Sequence, residues 1–248
     1  MNTDTRKLSI LMPAYNEGPQ IYDNLLHTVN VLSAHPLDFE LVVIDDGSCD
    51  QTAGEIQKAA AFHPALIKPV LLPENLGKGA ALCAGFQQAG GKLIAFLDSD
   101  MDLPPAQLVL LLELMELSGA DIIVGSKRHP DSTIAYPLHR RLMSEIYYQF
   151  VRLLLKLPVR DTQVGIKLFR RPVLEYTLPR LTTCRFAFDV ELLSLAATKG
   201  FTMKEAPVFI NYQCTWGRIG IQSIVQMLKD TLLIFYRLRI KKPAWPEK

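Results

Sequence analysis

The chain has few cysteines and none in clusters. Cys49, Cys83, Cys184 and Cys214 stand singly and far apart. That excludes the paired spacing of a zinc site and a dense disulfide framework, and it fits free thiols in a reducing cytoplasm. A long apolar run is also missing. Residues 8–12 follow Arg6 and Lys7 but are too few for a signal-peptide core, and the greasiest helical stretch, residues 107–117, contains Glu113 and Glu116. No segment is therefore expected to cross a membrane. Charge of one sign is scarce too: the formal net charge is only +2. With no basic stripe interleaved with aromatics, a nucleic-acid partner is not expected. Internal repeats, low-complexity tracts and linkers are absent. What remains, 248 residues with 49% hydrophobic and 21% charged content, suffices to bury one sizeable core.

The stretch that organises the sequence is Leu93-Ile94-Ala95-Phe96-Leu97, followed at once by Asp98-Ser99-Asp100-Met101-Asp102. The apolar residues read as a strand buried on both faces, because they are uninterrupted, rich in branched and aromatic types and too few for a helix. Alternate carboxylates then stand at its C-terminal mouth. Acids so close repel one another unless a cation or water compensates, and hard oxygen ligands suit Mg²⁺ or Mn²⁺. The plainer alternative is a solvated acidic turn ahead of a helix opened by Pro104-Pro105.

Strand and helix patterns alternate along the first half. Strands are expected at residues 8–12, 39–44, 66–72, 93–97 and 121–125, with helices at 20–33, from about 50, at 80–89 and at 105–117 between them. Such alternation with short connections predicts a doubly wound α/β sheet, whose strand mouths form the ligand crevice. The second half is less regular. It offers an amphipathic segment at 138–157, strands at 166–169 and 202–210, a helix at 189–199 and a C-terminal helix.

Acids recur at a second strand mouth, Asp45-Asp46-Gly47-Ser48. A receiver-type acidic pair is one reading, but such a domain is about half this length and leaves the second acidic cluster unexplained. Gly77-Lys78-Gly79 is a weak dinucleotide-like signal, because Leu82 stands where a third glycine belongs. It reads either as a flexible helix start or as a loop whose backbone approaches a nucleotide while Lys78 supplies charge.

Taken in order, Pro13-Ala14-Tyr15-Asn16-Glu17, Asp45-Asp46-Gly47-Ser48, Asn75-Leu76-Gly77-Lys78-Gly79 and Asp98-Ser99-Asp100 resemble the family 2 glycosyltransferases. The resemblance continues through Val124-Gly125-Ser126-Lys127-Arg128, the run from Asp161 to Phe169, and Phe188-Asp189-Val190-Glu191. These look like the dolichol-phosphate mannose and glucose synthase branch. The resemblance implies a single nucleotide-sugar-binding α/β domain of GT-A type with a mostly parallel sheet. It also implies an inverting transfer of a hexose, glucose or mannose, from UDP-glucose or GDP-mannose to a polyprenyl phosphate.

Carried onto this chain, Pro13, Tyr15, Glu17 and Asp46, with Asp45 and Lys78 beside them, match the nucleotide-sugar site. Asp98 and Asp100 match the metal and diphosphate site, and Asp102 stands where the branch often has Gln as a further ligand. Lys127 replaces a usual Arg, which cannot be neutral because Lys does not form the two parallel bonds of a guanidinium. Arg128 and Arg140 are then expected to share the acceptor phosphate. That phosphate is already ionised and needs positioning more than deprotonation. Asp189 and Glu191 are the candidate bases should the acceptor be a saccharide or small hydroxyl; the plainer reading is two acids favoured at a helix start. A binding protein without turnover is the rival from another class.

Near the C-terminus, Ile221, Ile224, Val225, Leu228, Leu232 and Phe235 recur at helical spacing before Arg237, Arg239, Lys241 and Lys242. The stripe packs on the domain's own core or meets a membrane surface with its basic end. The expected organisation is a catalytic domain over residues 1–218 and an amphipathic helix with a basic tail over 219–248. The expected location is cytoplasmic, peripheral on a membrane.

Overall fold

The computed structural model describes residues 8–134, 138–183, 185, 187–210 and 221–241. The uninterrupted apolar runs form the expected strands β1 (Leu8–Ala14), β2 (Phe39–Asp45), β3 (Ile67–Leu71), β4 (Leu93–Phe96) and β5 (Ile122–Ser126). Helices α1 (Ile21–Ser33), α2 (Thr52–Phe62), α3 (Lys78–Gln88) and α4 (Gln107–Ser118) connect them. Every residue of β2, β4 and β5 is buried, as strands covered by helices on both faces must be. Gly119, at φ 66, ends α4 in the left-handed conformation that glycine adopts without steric cost.

The second half adds a short strand β6 (Thr133–Ile134), the long helix α5 (Leu138–Leu155), β7 (Lys167–Arg170) and α6 (Arg171–Thr177). A 3-10 turn (Leu178–Arg180), α7 (Phe188–Lys199), β8 (Met203–Pro207), β9 (Phe209–Ile210) and α8 (Ile221–Phe235) follow, and a π-helical turn (Tyr236–Lys241) ends the described chain. Where one strand was expected over 202–210, two form. β8 pairs with β5 in the main sheet, whereas β9 leaves it to pair with β6. Helix α6 was not anticipated.

The main sheet has the order β3-β2-β1-β4-β7-β5-β8. All its pairings are parallel except those of β7, which runs against both neighbours. The chain steps outward from β1 to β3 and returns to β4 on the other side of β1. That reversal opens a crevice at the C-terminal ends of β1 and β4, where α/β sheets hold ligands. A second apolar cluster lies away from the sheet, where Val151 and Leu155 of α5, Val190 and Leu195 of α7, and Ile234 and Leu238 pack together. The C-terminal helix thus packs on the domain. The boundary expected at 218/219 lies outside the described residues.

Candidate active site

The loops that follow the adjacent parallel strands β1 and β4 each contain a non-glycine residue at positive φ: Asn16 at 54° and Met101 at 60°. Conformations of this kind persist only where surroundings enforce them. Asn16 is held through its amide on the Ser48 hydroxyl, 2.9 Å, and its side-chain oxygen accepts from the Cys49 amide at 3.0 Å. The acidic loop is held from α1, where Asn24 donates to the Ser99 carbonyl at 2.8 Å. Asp100 Oδ1 accepts the Asp102 amide at 3.2 Å.

On the nucleotide side the expected residues divide. Pro13 lies in β1 opposite Ile44, and Glu17 is buried while Tyr15 is 44% exposed. Asp45 closes the turn after β2 by accepting from the Ser48 hydroxyl and amide. Asp46 accepts the amides of Leu76 and Gly77, each at 2.9 Å, and so fastens the glycine loop that precedes α3. Burial pushes its carboxyl up against the opposing pull of those amides. Gly47 must be glycine: at φ 66 its added Cβ would lie 2.2 Å from the Glu74 carbonyl carbon. The glycine loop is therefore packed, and Lys78 is the first residue of α3.

Lys78 Nζ stands 2.5 Å from Asp98 Oδ1. Burial would lower this amine, yet Asp98, Asp189 and Asp100 outweigh it and raise it to about 12. Behind it, Lys167 is 1% exposed on β7, with Nζ 2.8 Å from Asp189 Oδ1 and 2.5 Å from the Val164 carbonyl. Burial holds this lysine below its ordinary value, while Asp189 opposes the shift. Asp98, Lys78, Asp189 and Lys167 thus make one cluster of alternating charge. Gly165 packs onto it so closely that an added Cβ would lie 2.0 Å from Asp98 Oδ2.

Asp100 is left with the excess negative charge. Burial, then Asp98 and Asp102, push its carboxyl up to about 6. A hard cation is one way to relieve such crowding, and the carboxylates of Asp100 and Asp102 are suitable donors. Among the described residues, however, no group of three or more acids, histidines or cysteines converges on a metal position. Asp98, the third of the expected trio, is turned onto Lys78 and Gly165.

The acceptor side departs further from expectation. The Lys127 amide donates to Asp161 Oδ2 at 3.0 Å, and its Nζ lies 3.8 Å from the same oxygen. Arg128 is committed elsewhere, to Glu145, to the Ser144 carbonyl at 2.7 Å and to the face of Tyr148 at 4.5 Å. It anchors α5. The side chain of Arg140 lies outside the described residues. Glu191, expected as a candidate base, is instead fully buried and saturated by Thr182, Thr183 and Arg237. The expected basic end of α8 is likewise spent in part: Arg237 meets Glu191, and Arg239 donates to the Leu155 carbonyl at 2.7 Å. Lys242 lies outside the described residues.

Lys167 was missed, although a lone charge inside an apolar central strand must find a partner. Arg185, exposed and near enough for its charge to act on Asp46, had no comparable signal.

Solved structures share this fold. Glucosyl-3-phosphoglycerate synthase from Mycobacterium tuberculosis, in complex with Mn²⁺, UDP and glucosyl-3-phosphoglycerate, superposes with a TM-score of 0.69 at 19% identity, covering 96% of this chain and 81% of that one. Mannosyl-3-phosphoglycerate synthase from Rubrobacter xylanophilus gives 0.72 at 16% identity, covering 98% and 77%. The fold is that of the GT-A glycosyltransferases. The family model described as glycosyl transferase family 2 matches residues 9–178, and the chain belongs to that family. The dolichyl-phosphate beta-glucosyltransferase of Dictyostelium discoideum is 31% identical across 94% of this chain and 75% of that protein. Glycosyltransferase AglD of Haloferax volcanii is 32% identical over 82% of this chain, which spans only 32% of AglD.

Proposed function

We propose that this chain is an inverting hexosyltransferase that carries a hexose, glucose in the first instance, from a nucleotide diphosphate donor to a polyprenyl phosphate. The observation that carries the acceptor class is the commitment of both candidate bases. Asp189 is paired with Lys167 and Glu191 is saturated by Thr182, Thr183 and Arg237. A hydroxyl acceptor needs a free base, whereas a phosphate arrives ionised. The relatives named as dolichyl-phosphate glucosyltransferases support the same class.

In this reading the exposed Tyr15 receives the base, and Lys78 stands at the crevice to meet the donor's diphosphate. Asp100 and Asp102 would hold Mg²⁺ or Mn²⁺, which when bound supplies positive charge to the departing diphosphate. Asp98 aligns Lys78. Lys127 and Arg140 receive the acceptor phosphate, with Arg128 holding the helix that presents Arg140.

A lipid acceptor calls for work at a membrane surface, and in this reading that surface is the cytoplasmic face. No helix among the described residues is long and apolar enough to cross a bilayer. Instead α5 exposes Ile146 and Leu153, and α8 with its terminal turn exposes Leu232, Leu233, Tyr236 and Ile240, although Ile234 and Leu238 are buried beneath. An apolar outer row above a packed inner face is how an interfacial helix rests on lipid.

The test is a panel of UDP-glucose, GDP-mannose and UDP-N-acetylglucosamine with a polyprenyl phosphate in detergent. The expected product is a glucosyl lipid phosphate with inverted anomeric configuration. Transfer only to a saccharide or small hydroxyl would overturn the acceptor class, and no transfer to either would leave a binding protein.

A further inference from the structure

Glu191 lies two residues beyond Asp189 on α7, fully buried, and the transfer itself makes no use of it. Its oxygens accept the amides of Thr182 and Thr183 at 2.9 and 2.8 Å, both hydroxyls at 2.7 Å, and Arg237 Nη1 at 2.5 Å. The threonines place three bonds on Oε2 and one on Oε1, and Arg237 supplies the second bond to Oε1. With that bond the guanidinium adds opposite charge and reach. Arg237 comes from the turn that ends α8, and it also donates to the Arg180 carbonyl and the Thr182 hydroxyl, each at 2.8 Å. One side chain therefore ties the C-terminal helix to the 3-10 turn, to the segment after it and to α7.

That segment leads into the site. It carries Arg185 and runs into α7, whose Asp189 meets Lys167 Nζ at 2.8 Å in the charge cluster beside Lys78. A planar, several-pronged donor with its charge partner buried holds such a junction in a way a flexible ammonium does not.

We propose that Arg237 is a positioning residue for the transfer: by clamping Arg180, Thr182 and Glu191 it fixes the segment that bears Arg185 and Asp189. Through it the seat of the C-terminal helix sets turnover as well as attachment. The inference rests on the transferase reading above.

The experiment compares wild type with Arg237→Ala, Arg237→Lys and Arg239→Ala in detergent, using a short-chain polyprenyl phosphate so that vesicle attachment is not required. Arg237→Ala is expected to lower kcat by roughly tenfold or more through lost alignment. Its donor KM should change less than kcat, since Tyr15, Asp46 and Lys78 stand on elements that Arg237 does not touch and are linked to the clamp through Arg185 and Asp189. Arg237→Lys should recover part of the loss, and Arg239→Ala, which meets the Leu155 carbonyl on α5, should keep wild-type kcat. Hydrogen exchange should quicken over residues 180–189 in Arg237→Ala and stay unchanged in the main sheet. Wild-type kcat in Arg237→Ala overturns the proposal, as does exchange that quickens equally throughout the sheet. Should Arg237→Ala fail to fold, wild-type kcat in Arg237→Lys overturns it instead. Absence of transfer by the wild type would defeat the transferase reading alone. Exchange then decides the clamp: lost protection over 180–189 supports it, and unchanged protection overturns it.

Discussion

At the N-terminal ends of the strands Glu40 is 1% exposed, and at the C-terminal ends Asp100 is partly so, yet the two carboxyls are driven in opposite directions. Burial alone would raise Glu40, but Lys68 at 2.6 Å, the Ser9 hydroxyl at 2.7 Å and the Gly90 amide at 2.7 Å outweigh it and hold the group at about 2. Around Asp100 burial is joined by like charges, from Asp98 and Asp102, and the group rises to about 6. One end of the sheet is closed with its charge compensated. The other keeps uncompensated charge where a ligand would enter, which is how sites are commonly distinguished from structural ion pairs.

The sharpest way to break this comparison is at Asp100. Asp100→Asn should lower turnover by about 10²-fold or more, the scale of a lost electrostatic contribution at a reacting centre. Its Tm should not fall, because the substitution removes a repelled charge. Near-normal transfer at saturating Mg²⁺ or Mn²⁺ would take the acidic loop out of the chemistry.

Glu40 should behave the other way. Its folded value of about 2 lies below the ordinary 4.5, so the folded state binds fewer protons and stability rises with pH. The contribution is complete above pH 4.5 and is lost as pH falls toward 2. It amounts to roughly 3–4 kcal/mol on linkage grounds. Denaturant titrations of wild type and Glu40→Gln should differ by that amount at pH 7 and converge near pH 2, with kcat unchanged in the folded variant. A constant difference across pH would mean that packing, rather than charge, explains the closed end.

Gly165→Ala tests the same contrast at smaller scale. The added Cβ would lie 2.0 Å from Asp98 Oδ2, so the carboxylate must move off Lys78. Turnover should fall roughly tenfold, in line with misplacement of a group near the chemistry. Far-ultraviolet dichroism should be unchanged. Gly54→Ala is the control, as nothing lies within 4 Å of its added Cβ.

The open end was more legible in the sequence than the contacts behind it. Runs such as those around Ile44 and Phe96 are continuous and apolar, so they declared buried strands, and the acids after them marked the mouths. Direction was not declared. The period of Lys167-Leu168-Phe169 suits a parallel or an antiparallel neighbour equally, and only the fold shows β7 reversed between β4 and β5. Glu191 misled because a first-turn acid on α7 fits both a base and a helix-start charge, while its cation stands 46 positions away. The partners of Arg128 were no more legible: position within a motif said nothing of Glu145 and Tyr148, which it contacts.

The smallest effect is expected at the outer surface, where the C-terminal helix can be separated from its buried side. Arg237 and Arg239 are engaged inward, so Lys241, which is exposed, is the described cation left to face an anionic surface from this turn. Lys241→Gln should weaken flotation with anionic vesicles by about fivefold, the share of one basic residue near such a surface, and raised salt should erase the difference between variant and wild type. Leu233→Ser, at a side chain 64% exposed, should weaken binding to neutral and anionic vesicles alike. Neither change reaches Glu191, so kcat toward a short-chain acceptor in detergent should stay at the wild-type value in both. If both variants and the wild type remain unbound at low salt, the outer row of α8 is not a membrane surface. The Arg237 clamp and the packing of Ile234 and Leu238 on Val190 of α7 would then be what joins the C-terminal helix to the site.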